Sequence, residues 1–432
     1  MSKMMMTADL MDRILAEANI AKYTYTVSES EKQEINVLNG DFKLMRTVFN
    51  NTAGLKVFSG NRMGSVNGND ITEEGLRKLA ADGIAAAESS PEDECYDIAP
   101  DQGTDVFRQG AENADLDRFA ERVREFLDMV AEKYPKVRLT SIFASFDKWH
   151  RVSRNTNGTA FEGFGGQYAL DVEMCATDGE RTTGLDYTSV KMDNLDRPII
   201  EAGSIRTHLE SIQDSIRPET LEGKFEGTVI VTPWMATNFM YMLLENYTGN
   251  GVVMNGTSLW LDKVGEQVAS ELLTVSLKPY DERIVVGERA TDDGYRTEDV
   301  TLIDRGVLKT HLLNLYTSKK TGRPVVKNTG FDLVMEGGST PLAEMIASVD
   351  KGLILGGFSG GEPGTNGEFS GVAKNSFLIE NGKVKCAVTE TMVNGNLGDL
   401  VKNIRAVSRE VWCDGETVMP YFAADGVVIS GK

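Results

Sequence analysis

The chain is short of histidine, short of cysteine and short of positive charge. Its three histidines, His150, His208 and His311, stand far apart in 432 residues, and no H-E-x-x-H or related motif joins any two of them. A zinc site written into one helix is therefore excluded. The four cysteines, Cys95, Cys175, Cys386 and Cys413, form no C-x-x-C pair, a spacing that predicts reduced, mostly buried thiols rather than a disulfide framework. With 45 Lys plus Arg against 65 Asp plus Glu, the formal charge is −20. A surface of that sign repels nucleic acid and anionic membranes. Aromatic residues are 8% of the chain and do not interleave with basic ones as a single-strand-binding surface requires. No run approaches the ~20 apolar residues of a membrane helix, and Asp9, Asp12 and Arg13 break up the opening segment before it reaches signal-peptide length. The expectation is a cytoplasmic protein that contacts neither DNA nor membrane directly.

What is present is a mixture of helical and strand periodicities. Leu10, Met11, Ile14, Leu15 and Ala18 predict a helix near the start, and a run of strands punctuated by Asn-Gly and Ser-Gly follows it. A second helix is expected from Thr72. The acidic stretch from Ser89 to Gly110, with Pro91 and Pro100, reads as an exposed loop. From Leu116 to Tyr134 the apolar positions Phe119, Val123, Phe126, Leu127, Val130 and Ala131 fall on one helical side. Strands return up to Met192, and a polar helix is expected near Gly203 to Ile216. A charged connector, Arg217 to Lys224, then divides the chain into units of 1–217 and 218–432. The second unit opens with a strand ending at Val231 and a helix whose first turn holds Pro233 and whose expected inner face is Phe239, Met242 and Leu243. After Gly249 the pattern is β-rich, including GVLKTHLLNLYTS as an alternating strand, with one helix at LGDLVKNIRAV. Both halves mix helix and sheet, so the expected class is α+β.

Few residues advertise chemistry. A Cys–His nucleophilic pair would need Cys386 or Cys413 beside His311, but both cysteines have strand-like apolar flanks, the setting of inert thiols. The acidic group Asp281, Glu282, Glu288, Asp292 and Asp293 lacks the spacing of a calcium loop and reads as solvated. The stretch from Gly356 to Gly371, GGFSGGEPGTNGEFSG, is richest in glycine. It carries Glu362 and Glu368 and no Lys or Arg, and no Gly-Lys-Ser or Gly-Lys-Thr follows it, which argues against a phosphate cradle. It is expected to be a long loop at a sheet margin. Gly360 and Gly361 would there allow close backbone approach, and Glu362, Asn366, Glu368 and Ser370 would offer polar groups to an extended peptide. A cluster of turns without a ligand is the alternative.

The order of GTVIVTP with its helix, NGTSLWLDKVGEQVASELLTV, TEDVTLIDRGVLKTHLLNLYTSKKTG, GGFSGGEPGTNGEFSGVAKNSFLIENGKV and VNGNLGDLVKNI resembles the TldD/PmbA family, whose members have also been called modulators of DNA gyrase. The resemblance spans about Ala8 to Gly431. It implies a cytosolic protease system of two paralogous subunits. One, TldD-like, holds zinc with an H-E-x-x-x-H helix and a cysteine; the other, PmbA-like or TldE-like, lacks that motif. The matching helix here, Thr232 to Tyr247, contains no histidine, and Glu245 is its only carboxylate. The resemblance thus implies a PmbA-like chain with no metal, no cofactor and no catalytic residues of its own, partnered by a TldD-like subunit and a peptide substrate. Two further readings remain: a stand-alone homodimeric peptide-binding or regulatory protein, and a peptidase built on Cys386, Cys413 or His311.

Overall fold

The computed structural model describes residues 2–432. It confirms an α+β protein built on two sheets. The first contains seven strands: β1 (Lys22–Leu38), β2 (Asp41–Ser59), β3 (Arg62–Gly68), β4 (Thr104–Gly110), β5 (Val137–Asn155), β6 (Ala160–Ala176) and β7 (Asp186–Met192). Their order is β3-β2-β1-β5-β6-β4, and β7 shares the outer edge of β6 with β4. Asn39 and Gly40, both at positive φ, close the β1–β2 hairpin as the primed turns of twisted hairpins require.

Four helices pack on this sheet. Helix α1 (Lys3–Glu17) and α2 (Glu73–Ser89) cover one end, where Met4, Met11 and Leu76 meet Tyr25, Val27 and Leu55. Helix α3 (Leu116–Lys133) and α4 (Ile205–Asp214) cover the other, where Phe119, Phe126 and Leu209 meet Ile35, Ala144 and Leu170. Residues 25, 27, 35 and 37 of β1 have the same parity, so both groups lie on one face. Between them runs a strip that no helix covers. There Glu29, His150, Phe164 and Arg108 stand side by side on β1, β5, β6 and β4.

Three expectations for this half are corrected. The stretch from Ser89 to Gly110 is not all exposed loop: Thr104–Gly110 joins β6 in parallel, and Ile98 and Ala99 are buried. Helix α4 is not a polar helix, because Ile205, His208, Leu209 and Ile212 all turn inward. Of the expected inner face of α3, Ala131 is exposed, and Arg122 is buried instead. Its guanidinium donates to the Leu195 and Asp196 carbonyls at 2.9 and 2.6 Å, which offsets its desolvation.

The second sheet has fourteen strands. After the two-residue β8 (Glu219–Thr220), the strand β9 (Lys224–Val231) lies at its centre, between the long strand Val418–Ser430 and the strand Lys351–Leu355. Helix α5 (Pro233–Thr248) follows at once. Thr232 caps it by accepting from the Met235 N–H, and Pro233 occupies the first turn, where no N–H is needed. Met235, Phe239, Met240, Leu243 and Leu244 face the sheet and are almost fully buried.

The segment GVLKTHLLNLYTS is not one strand. Only Val307–Leu308 pairs, and a helix, Leu315–Thr321, starts at its Asn314 cap. The expected helix LGDLVKNIRAV stops at Lys402, and Ile404 begins a strand.

One residue in this half works against folding at neutral pH. Burial pushes the Asp332 carboxyl up from 3.8 to about 6, although it accepts from the Glu288 N–H at 2.9 Å. The folded state therefore holds a proton that the unfolded chain releases between those two values. Stability falls as pH rises through that window, and the whole penalty is present above it. Asp332→Asn is expected to stabilise the protein by about 1–3 kcal/mol near pH 7.5 and by little near pH 4. Asn also tolerates the φ of +58° found here. Denaturant melts of both proteins at the two pH values check it.

Candidate functional site

The face of α5 turned away from the core forms the floor of a groove of about 740 Å³. Trp234, Asn238 and Met242, spaced by four, line it, as successive turns of one helix face must. One wall is the segment Thr182 to Tyr187 leading into β7. The other is the start of the glycine-rich stretch, Gly356 to Ser359, with Glu362.

That stretch is not the long loop expected from its sequence. Gly357–Gly361 and Glu368–Lys374 are antiparallel strands, joined by residues 362–367. The first strand pairs only with the second, so its other edge carries no backbone partner among the described residues, and its first three residues, Gly357 to Ser359, line the groove. Phe358 and Phe369 pack on Phe239 at 6.3 and 5.4 Å, and the Asn246 side chain donates to the Pro363 carbonyl at 3.0 Å. Gly367, at φ +78°, lies so close to α5 that a Cβ would overlap the Tyr247 hydroxyl. The glycines are thus needed for helix-to-hairpin packing as well as for turns.

The structure separates the six residues named from sequence. Glu362 lines the groove. Gly360 and Gly361 pair with Gly371 and Ser370 inside the hairpin. Gly360 has φ +140°, and a Cβ there would meet the Gly371 Cα at 2.9 Å, so Val substitutions would disturb the hairpin itself. Asn366, in the connecting loop, donates to Glu368 at the start of the second strand at 3.1 Å, and the Ser370 hydroxyl bonds to Asn394 on the next strand. Sequence reading missed Trp234 and Asn238, and Met242, expected on the inner face with Phe239 and Leu243, stands in the groove row instead. Their signal was the i, i+4, i+8 spacing opposite the buried face of α5.

The groove does not fit a zinc ion. Indole, amide and thioether groups stand where the floor would need imidazole, thiolate or carboxylate. Glu245 is exposed elsewhere on the helix. Among the described residues, no group of three or more His, Cys, Asp or Glu is placed to hold a metal. The other candidates are accounted for by structure. Burial pushes the Cys386 and Cys413 thiols up, away from the reactive thiolate. His311 is in no strand; burial pushes its pKa down, and its Nε2–H donates to the Trp260 carbonyl at 3.0 Å. Asp281 holds Arg283 through two bonds of 2.8 and 2.7 Å, which keep its carboxyl at about 2. His150 lies within β5, stacked on Phe164 and bonded to Glu162 at 2.9 Å.

The family model for the PmbA/TldA metallopeptidase C-terminal domain matches residues 223–431, and that for PmbA/TldA metallopeptidase domain 1 matches residues 26–87. Together they cover more than half of the chain. The protein belongs to the PmbA/TldD family. Its PmbA/TldD relatives include a metalloprotease PmbA homologue of Haemophilus influenzae, 23% identical over 371 residues, which span 83% of this chain and 81% of that one. A metalloprotease of Methanocaldococcus jannaschii is 23% identical over 458 residues, covering 98% and 96%. Among solved structures, TldE from Thermococcus kodakarensis superposes with a TM-score of 0.85 at 20% identity over 98% of this chain and 100% of its own. A protein described as a modulator of DNA gyrase from Bacteroides thetaiotaomicron gives 0.82 at 22% identity over 99% of both. At these identities the structural matches establish the fold of this PmbA/TldD chain.

Proposed function

We propose that this chain is a metal-free, peptide-binding member of the PmbA/TldD family, acting beside a TldD-like paralogue that carries the zinc. The observation that supports it most is the groove: an unpaired strand edge beside a helix floor, with Trp234, Asn238 and Met242 on that floor. An extended peptide adds to the edge Gly357–Gly361 by main-chain hydrogen bonds, with its side chains set against Trp234 and Tyr187, whose rings are 6.1 Å apart. Water is not activated there, because no group on the floor provides Lewis acidity.

A partner subunit is supported by a second feature. From Asp41 to Thr52, β2 pairs with β1 on one edge and with nothing described on the other, and Leu44, Met45, Val48 and Phe49 are exposed along it. An apolar edge of this length needs covering. The paralogue is the occupant this reading assigns, with the cytoplasm as the compartment.

Asn238 is exposed at the middle of the floor, and its side-chain amide makes one bond, to the Trp234 carbonyl at 3.4 Å. Asn238→Arg fills the groove without touching the core. It is expected to weaken binding of an unstructured peptide at least about tenfold and to leave the melting temperature within about 2 °C. Fluorescence anisotropy with a labelled peptide, beside a thermal melt, checks both. Unchanged affinity would place the peptide elsewhere.

A further inference from the structure

The two halves of the molecule have separate cores. Among the described residues, each large cluster of buried apolar side chains belongs to one sheet or the other, and only the small group of Ala99, Tyr295 and Leu315 spans both. A cavity of about 390 Å³ lies between the halves, lined by Arg151, Ser153 and Asn155 from one and Glu288, Thr291 and Asp292 from the other. Bodies that meet through polar groups and gaps move relative to each other unless something holds them.

What holds them here is a strap. Residues 91–103 leave α2, run without helix or strand, and end in β4. Asp93 accepts from the Tyr316 hydroxyl and from Lys320, each at 2.7 Å. Asp97 pairs with Lys319 and with Lys22 of β1, so one carboxylate joins both halves. Asp105 pairs with Arg296, whose guanidinium also lies over the Phe107 and Phe161 rings. Tyr96 stacks on Tyr316 at 5.1 Å, and the Ala99 N–H donates to the Asp293 carbonyl at 2.9 Å. In each of the three pairs that cross, the acid is on the strap side and the base on the second half.

The strap and the groove sit at opposite ends of α5. Pro218, where the chain crosses between the halves, lines the groove with Trp234 in the first turn of that helix. At the far end the Thr248 carbonyl accepts from the Leu312 N–H at 3.0 Å, just before the helix Leu315–Thr321 that carries Lys319 and Lys320. A helix of 16 residues is about 24 Å long. The groove's walls come from different halves, Thr182 to Tyr187 from the first and Gly356 to Ser359 from the second. Its width therefore follows the angle between them.

We propose that the strap from Asp93 to Asp105 is an ionic latch that fixes this angle, and with it the groove, and that opens as salt screens it. Its effect on peptides rests on the groove reading; the latch itself does not. The lever is salt rather than pH. Lys320 holds the Asp93 carboxyl at about 2, and at Asp97 burial is outweighed by Lys22 and Lys319, which hold it at about 2 as well. Both stay charged through the neutral range. Screening length falls from about 10 Å at 0.1 M salt to about 3 Å at 1 M. On the groove side Lys191 pairs with Glu416, so salt alone does not isolate the strap and a variant is needed.

The test follows hydrogen exchange of the full chain by mass spectrometry, for wild type and for Lys319→Met with Lys320→Met, at 0.1 and 1 M sodium chloride. Those lysine side chains are 38% and 37% exposed, so the double variant leaves the cores intact. Strap amides, Ala99 among them, are expected to exchange at least about tenfold faster in the variant at 0.1 M salt. Wild type at 1 M should move the same way, while β5 and β9 stay unchanged. A strap that exchanges equally in all four samples, or an equal acceleration in β5 and β9, would overturn the latch. Affinity for an unstructured peptide should fall about threefold if the competent angle is held a third of the time. A faster strap with unchanged affinity, while Asn238→Arg still weakens binding, would overturn its control of the groove. A faster strap with no effect of Asn238→Arg would refute the groove and leave the latch standing.

Discussion

Phe239→Ala is expected to destabilise the protein by about 3–5 kcal/mol, the range for deleting a fully buried aromatic ring. Phe239 has no exposed surface and lies on the core face of α5. Its ring touches both strands of the glycine-rich hairpin through Phe358 and Phe369, which also contact each other at 5.8 Å. Those strands cannot close the gap easily, because Glu368–Lys374 is pinned on its far side by Met392–Asn396. The cavity therefore persists and adds to the lost transfer energy. The same substitution unfastens one wall of the groove from its floor, so peptide affinity falls with stability. Met242→Ala, on the groove side and half-buried, is the contrast, at about 1 kcal/mol or less. Guanidinium unfolding of the three proteins measures it, with an unchanged slope certifying a common unfolded state. A cost below about 1 kcal/mol for Phe239→Ala would mean that the hairpin does not depend on α5.

Helices with strong periodicity were legible in the sequence, and the reasons are local. Helix α3 has its Asp115 cap, its apolar stripe and Lys133 in the last turn. Strand β1 was harder. Its polar middle, Glu29 to Gln33, interrupts the apolar alternation, yet it is one strand of 17 residues, bonded on both edges to β2 and β5. The polar residues mark the strip that no helix covers, a property of packing that alternation within one segment cannot report. The glycine-rich hairpin failed for a related reason. Glycine carries no strand propensity, and its pairing is imposed by Met392–Asn396 and by the aromatic cluster on α5. Nothing in the sequence marks His208, which the charged Arg206 and Glu210 flank on the chain. Its partner Asp186 is 22 residues away, on β7, a distance over which spacing gives no signal. The absence of histidine and cysteine from α5, by contrast, is readable from the sequence of one helix.

The second large effect concerns catalysis. A chain whose groove floor presents Trp234, Asn238 and Met242 in place of imidazole and thiolate is expected to bind no stoichiometric zinc after dialysis and to cleave no peptide by itself. The three histidines are used otherwise: His150 with Glu162, His208 with Asp186, His311 with a backbone carbonyl. The cysteines Cys386 and Cys413 are held in the thiol form by burial, which removes the remaining nucleophile candidates. If the proposed pairing with a zinc-bearing paralogue holds, activity should arise only in a mixed complex and should vanish with chelator.

The most direct measurement is cleavage of an unstructured peptide by three samples: this chain alone, the TldD-like paralogue alone, and the two together after co-purification, each with and without chelator. The account predicts no turnover above background for this chain, and chelator-sensitive turnover in the mixture at least about tenfold above that of the paralogue alone, reduced again when Asn238→Arg replaces the wild-type chain. Chelator-insensitive turnover by this chain alone, or a mixture no more active than the paralogue by itself, would contradict it.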